Sequence, residues 1–64
     1  MTLADFIKVF DFEYFNLEIA YFGKHDSYNY SSRAAIERDY CASLYTVLSI
    51  SPVDETTVQV IIWH

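Results

Sequence analysis

The sequence predicts an α+β fold in the order α-β-(β)-α-β-β, a three- or four-stranded antiparallel sheet with two short helices on one face. Three observations predict it. Apolar residues recur at helical spacing over Leu3, Phe6, Ile7 and Phe10, and again around Ile36 and Tyr40. They alternate with period two over Leu17-Ile19-Tyr21 and Val58-Val60-Ile62. A Pro52-Val53-Asp54-Glu55-Thr56 turn separates two such alternating runs, as in a hairpin.

Taken in order, Thr2 is an N-cap with Asp5 three residues on, an acidic variant of the capping box. Asp5 near the start and Lys8 near the end suit the helix dipole, so a helix is expected over Leu3–Phe10. Asp11-Phe12-Glu13 bridges to a strand expected over Tyr14–Phe22, with Phe15, Leu17, Ile19 and Tyr21 on its core face. Gly23 and the polar Lys24-His25-Asp26-Ser27 form a turn. Tyr28-Asn29-Tyr30 reads either as a short strand pairing back or as loop. Ser31 or Ser32 caps a second helix, Arg33 to about Cys41, with Ile36 and Tyr40 as its stripe, Ala35 and Leu44 flanking it, and Glu37, Arg38 and Asp39 in water. Strands over Tyr45–Ser51 and Thr57–Trp63 complete the fold as an antiparallel hairpin. The last strand is apolar on both faces, with Ile61 and Trp63 beside Val60 and Ile62.

Size and composition exclude much. The 64 residues make one domain, 1–64. Hydrophobic residues at 53% exclude ordinary disorder, and a single Cys excludes a disulfide framework. No apolar run reaches the ~18 residues of a membrane span. Met1-Thr2-Leu3-Ala4-Asp5 has no basic stretch and reads as mature protein rather than a signal peptide. Nine acids against four bases give a net charge of −5, which opposes direct binding to nucleic acid or an anionic membrane. These features describe a soluble, cytoplasmic domain. A core of this size is marginal without help, so a homodimer is expected, paired through Gln59, Ile61 and Trp63 of the last strand.

Catalysis fails by counting. Cys41 and His25 form the one thiol–base pair available, without an orienting third group. Cys41 is read instead as a small buried hydrophobe and His25 as a solvated loop side chain. One glycine cannot build a phosphate loop, and no metal or cofactor is expected. Tyr14, Tyr21, Tyr28, Tyr30 and Tyr45 suggest a base-stacking platform. Only Lys8, Lys24, Arg33 and Arg38 accompany them, too few to track phosphates against nine acids. The joint surplus of acids and aromatics points to a protein partner, since acids steer an encounter and aromatics anchor it. The expected partner-binding residues are Asp11, Glu13, Tyr28, Tyr30, Glu37, Asp39 and Trp63. Two bland alternatives stand beside this: the acids confer solubility alone, and the tyrosines cover the sheet edge.

Met1-Thr2-Leu3-Ala4-Asp5-Phe6-Ile7-Lys8, then Asn16-Leu17-Glu18-Ile19, and the tail Tyr45-Thr46-Val47-Leu48-Ser49-Ile50, Asp54-Glu55 and Thr57-Val58-Gln59-Val60-Ile61-Ile62 carry a resemblance. The two ends resemble small proteins encoded by phages and mobile elements of low-GC Gram-positive bacteria, and the Tyr-rich middle lies outside it. The resemblance implies a non-enzymatic phage-type inhibitor acting in the host cytoplasm on a nucleic-acid-handling protein, with a CRISPR effector nuclease the first candidate. Inhibitors of uracil-DNA glycosylase are the related alternative, being similarly small, acidic and often dimeric. A structural or accessory homo-oligomeric module without a host target is the other. No site residue follows from the resemblance itself.

Overall fold

Thr2 opens the first helix as its composition requires. In the computed structural model, which describes residues 1–64, the Thr2 Oγ1 accepts the Asp5 N–H at 3.1 Å and α1 runs Leu3–Val9. Leu3, Phe6 and Ile7 are its buried face. The chain then turns on Asp11, whose Oδ1 accepts the Glu13 N–H and whose carbonyl accepts the Phe15 N–H. That turn shortens the expected first strand: β1 is Asn16–Tyr21, not Tyr14–Phe22. Phe15 consequently leaves the core face assigned to it. Its N–H is already used by the turn, and its ring stacks at the helix–strand junction, 6.3 Å from Phe10.

Gly23 adopts φ +83°, a left-handed conformation that glycine enters without a Cβ penalty, and reverses the chain into β2, Ser27–Tyr30. The ambiguous Tyr28-Asn29-Tyr30 stretch is therefore a strand, antiparallel to β1 with Ile19 opposite Tyr28. Ser32 caps α2, Arg33–Asp39, its Oγ accepting the Ala35 N–H at 3.2 Å. The helix stops short of Cys41 because Tyr40 is extended. A single 3-10 turn, Ala42–Leu44, follows. Two readings change as a result. Cys41 is an exposed free thiol rather than a buried hydrophobe, and Leu44 points outward instead of joining the α2 stripe. Ile36 alone of α2 is buried. β3, Thr46–Pro52, and β4, Thr57–Trp63, form the expected hairpin, with a bulge between Val47 and Ser49 that leaves Leu48 unpaired.

The four strands form one sheet in the order β2-β1-β4-β3. The sheet is mixed rather than antiparallel throughout, since β1 and β4 lie side by side and parallel, from Asn16 opposite Thr57 to Tyr21 opposite Ile62. Chain parity explains this. β1 and β2 run in opposite senses, the segment containing α2 carries the chain back along the sheet so that β3 runs the same way as β2, and the hairpin then reverses β4. β4 therefore points the same way as β1. These two are the strands with the most apolar faces, so they take the fully paired central places. The polar Ser27–Tyr30 and the Pro-ended Thr46–Pro52 take the edges. Met1 to Leu3 pair along the start of β3, where Leu3 N–H donates to the Tyr45 carbonyl and Val47 N–H to the Met1 carbonyl, both at 2.9 Å. That cover shortens the open edge.

The core is a single cluster. Leu3, Phe6 and Ile7 of α1, Ile36 of α2 and Ala42 pack on Leu17, Ile19, Val60 and Ile62. Both helices thus cover one face of the sheet, as expected. The other face carries Glu18, Ser27, Gln59 and Thr57, with an apolar end at Ala20, Ile61, Phe22 and Trp63. Glu18 is tied there by Ser27 Oγ at 3.1 Å and Gln59 Nε2 at 3.0 Å. No helix is long and apolar enough to cross a membrane.

Candidate interaction surface

Core-face positions continue past the end of the packed core into an aromatic layer. Period two places Tyr21 on the face of Leu17 and Ile19, and His64 on the face of Val60 and Ile62. Because β1 and β4 run parallel, these two ends meet: the Tyr21 hydroxyl and His64 Nδ1 are 2.6 Å apart and share a hydrogen bond. Tyr45 packs against both, its ring centroid 6.3 Å from Tyr21 and 5.0 Å from His64. Tyr40, delivered by the end of α2, stands edge-on to Tyr45 at 5.5 Å and 89°. Tyr30 adjoins Tyr40 at 6.0 Å. On the other side Trp63 lies 5.5 Å from Tyr21, and Phe22 meets Trp63 at 5.6 Å. The edge-to-face geometries bring ring edges to ring faces, the arrangement that aromatic quadrupoles favour.

Beside this layer lies a half-open depression of about 290 Å³ lined by Ile19, Tyr21, Lys24, Asp26, Tyr28 and Tyr40. Its size is at the lower limit of small-molecule sites, of order 300 Å³ and upward. The β1–β2 turn supplies Lys24 and Asp26, the sheet supplies Ile19, Tyr21 and Tyr28, and α2 supplies Tyr40 through its C-cap.

Tyr30 and Tyr28, neighbours on β2, divide in character. The Tyr30 hydroxyl donates to Asp39 Oδ2 at 2.9 Å, and its ring packs on the core. Burial first, and then this donation to a carboxylate, push the Tyr30 phenol far above the usual tyrosine range. Burial likewise raises Tyr40, with the neighbouring Tyr45 and Asp39 adding to it. Tyr28 is 59% exposed. Because the folded state holds the Tyr30 proton more tightly than the unfolded chain does, the stabilisation is complete below pH about 10 and falls as pH climbs beyond it. Melting curves across that range are expected to show the decline, and Tyr30→Phe to lessen it while lowering stability at neutral pH by about 1–2 kcal/mol through the lost hydrogen bond. An unchanged alkaline decline in Tyr30→Phe would assign the effect to other tyrosines.

The expected partner-binding residues do not form one patch. Tyr28, Tyr30 and Asp39 gather around Tyr40, and Trp63 joins the same layer through Tyr21. Glu37 is exposed on α2 with no hydrogen bond or ion pair, and Asp39 has the chain's one salt bridge, Arg38 Nε at 3.4 Å. Asp11 and Glu13 lie apart, in the turn that precedes β1 at the opposite end of that strand from Tyr21. The sequence left Tyr21, Lys24, Asp26, Tyr40, Tyr45 and His64 out of the partner-binding set, with Tyr21 and Tyr45 read only as part of a stacking platform that the charge balance disfavours. The signal for His64 was present, since extending the Val58-Val60-Ile62 alternation by one step puts it on Tyr21's face. Asp54, at the β3–β4 turn, holds its carboxyl below the usual range, chiefly through the Thr56 N–H at 2.8 Å.

The fold and surface together define a small α+β protein, two helices on one face of a four-stranded mixed sheet, with a tyrosine-rich layer at one end. No protein family matches the chain, and neither curated proteins nor solved structures give a match.

Proposed function

We propose that this is a non-enzymatic phage-type inhibitor that binds a host nucleic-acid-handling protein, with a CRISPR effector nuclease the first candidate. The observation that carries the docking reading is the state of its charges. Of nine acidic side chains, only Asp39 has a cation within ion-pairing distance, so eight carry charge that no cation of the chain pairs with. Exposed Tyr28, Phe22 and Trp63 supply large rings to anchor the complex. The acids lie on α1, the turn after it, β1, the β1–β2 turn, α2 and the β3–β4 turn, a spread that suits long-range steering. The phage origin and the nucleic-acid-handling class of the target come from the sequence resemblance and from the fit of an acidic ligand to a basic groove.

The test is capture from host lysate with the immobilised protein, repeated in the presence of competing duplex DNA, followed by a cleavage assay on the recovered enzyme. The expected result is a nucleic-acid enzyme that DNA displaces and that the free protein inhibits. Capture that DNA does not disturb would remove nucleic-acid mimicry.

A second reading, self-association, has its own observation: the uncovered sheet face ends in Ala20, Ile61, Phe22 and Trp63. β4 is a central strand, so a second copy would have to stack on this face rather than extend the sheet from β4. Light scattering that gives a 7.5 kDa species at tens of micromolar would overturn the homodimer.

A further inference from the structure

We propose that the tyrosine-lined depression receives the guanidinium of an arginine presented by the basic partner. The inference deepens the docking reading and rests on it for the source of the arginine. Three tyrosines, Tyr21, Tyr28 and Tyr40, converge on the space with Asp26, over an Ile19 floor. Ring faces carry negative electrostatic potential, and a planar cation set against them beside a carboxylate gains from both.

Two of the walls are fixed before any ligand arrives. Tyr21 is held by His64 at 2.6 Å, and Tyr21 and Tyr40 both stand nearly perpendicular to Tyr45, at 87° and 89°. Little ordering is left for the ligand to impose on them. Asp26 has no hydrogen bond or ion pair of its own, although Lys24 lines the same depression and makes no ion pair either. The carboxylate is therefore unneutralised, on a chain of net charge −5. About 290 Å³ accommodates a guanidinium with its adjoining methylenes. Lys24 is the one feature that opposes a cation, and this makes it the most telling residue to change.

The experiment is an amide-resolved NMR titration at low salt with N-acetyl-arginine methylamide, the neutral N-acetyl-citrulline methylamide, and free arginine. The capped arginine is expected to give saturable shifts at Tyr21, Asp26 and Tyr28, and citrulline of the same shape at least about tenfold weaker ones. Asp26→Asn should weaken arginine binding about fivefold, and Lys24→Gln should strengthen it about twofold. Tyr28→Leu, at an exposed position, tests the cage without endangering the fold. Equal binding of citrulline, shifts spread over Glu37 and Asp54 instead of the depression, or weaker binding in Lys24→Gln would overturn the proposal. Free arginine binding far more tightly than the capped form would replace the peptide source with a free amino acid. No partner is present in this assay, so a successful capture without arginine binding sinks this inference alone. Arginine binding with a failed capture supports the site and sinks the docking reading.

Discussion

Replacing Ile36 with alanine is expected to lower the melting temperature by roughly 10–20 °C and to empty the tyrosine-lined depression of one wall. Ile36 is the only buried residue of α2 and is completely enclosed. Truncating such a side chain costs about 2–5 kcal/mol, from lost burial plus the cavity left behind. A chain of this length has total stability on the order of 3–10 kcal/mol, so the loss removes a large share. For small domains each kcal/mol is worth about 4–8 °C. Local consequences follow from topology. α2 delivers Tyr40 and Asp39, so loosening it also frees the Tyr30 hydroxyl from its acceptor. Calorimetry and tyrosine fluorescence should change together, whereas Val9→Ala, on the exposed side of α1, should leave the melt within about 0.5 kcal/mol. A melt for Ile36→Ala within a few degrees of the parent would show that α2 is not held by this side chain.

Tyr28→Ala is expected to weaken partner binding about 30-fold while the fold holds, and Tyr30→Ala to do the reverse. A hot-spot aromatic contributes upwards of about 2 kcal/mol, read mainly as faster dissociation. Tyr28 is exposed, so its removal strips a contact; Tyr30 packs on the core and donates to Asp39, so its removal strips structure. The acids separate in the same way. Glu37 makes no hydrogen bond, and Glu13 uses none of its side chain, so Glu13→Lys and Glu37→Lys should slow association and flatten its salt dependence without a change in melting. Asp39→Lys is a poorer probe, because it also breaks the Tyr30 bond. Surface plasmon resonance at two salt concentrations, paired with melts of each variant, distinguishes these outcomes. Salt-independent binding with silent charge reversals would leave an apolar interaction protein and remove steering.

The sequence by itself determined the local elements: the caps at Thr2 and Ser32, the Leu3–Val9 helix to within a residue, the α2 start, the β3–β4 hairpin and the core-face alternation of Val58, Val60 and Ile62, the last two fully buried and Val58 partly so. Each depends on neighbours within a few positions, where capping, periodicity and turn chemistry act. Tertiary structure decided which strand of each hairpin lies inside and, with it, the parallel pairing of β1 and β4. That choice arises because one sheet must bury both apolar central strands while leaving the polar Ser27–Tyr30 and the Pro52-ended strand at its edges, a competition between segments 41 residues apart in the parallel register. The ingredients were legible in the composition of the four strands, but the pairing follows only when they are weighed against one another. The same long-range decision sets Tyr21 beside His64 and assembles the tyrosine layer, since two parallel strands finish at the same end of the sheet and antiparallel ones would have finished at opposite ends.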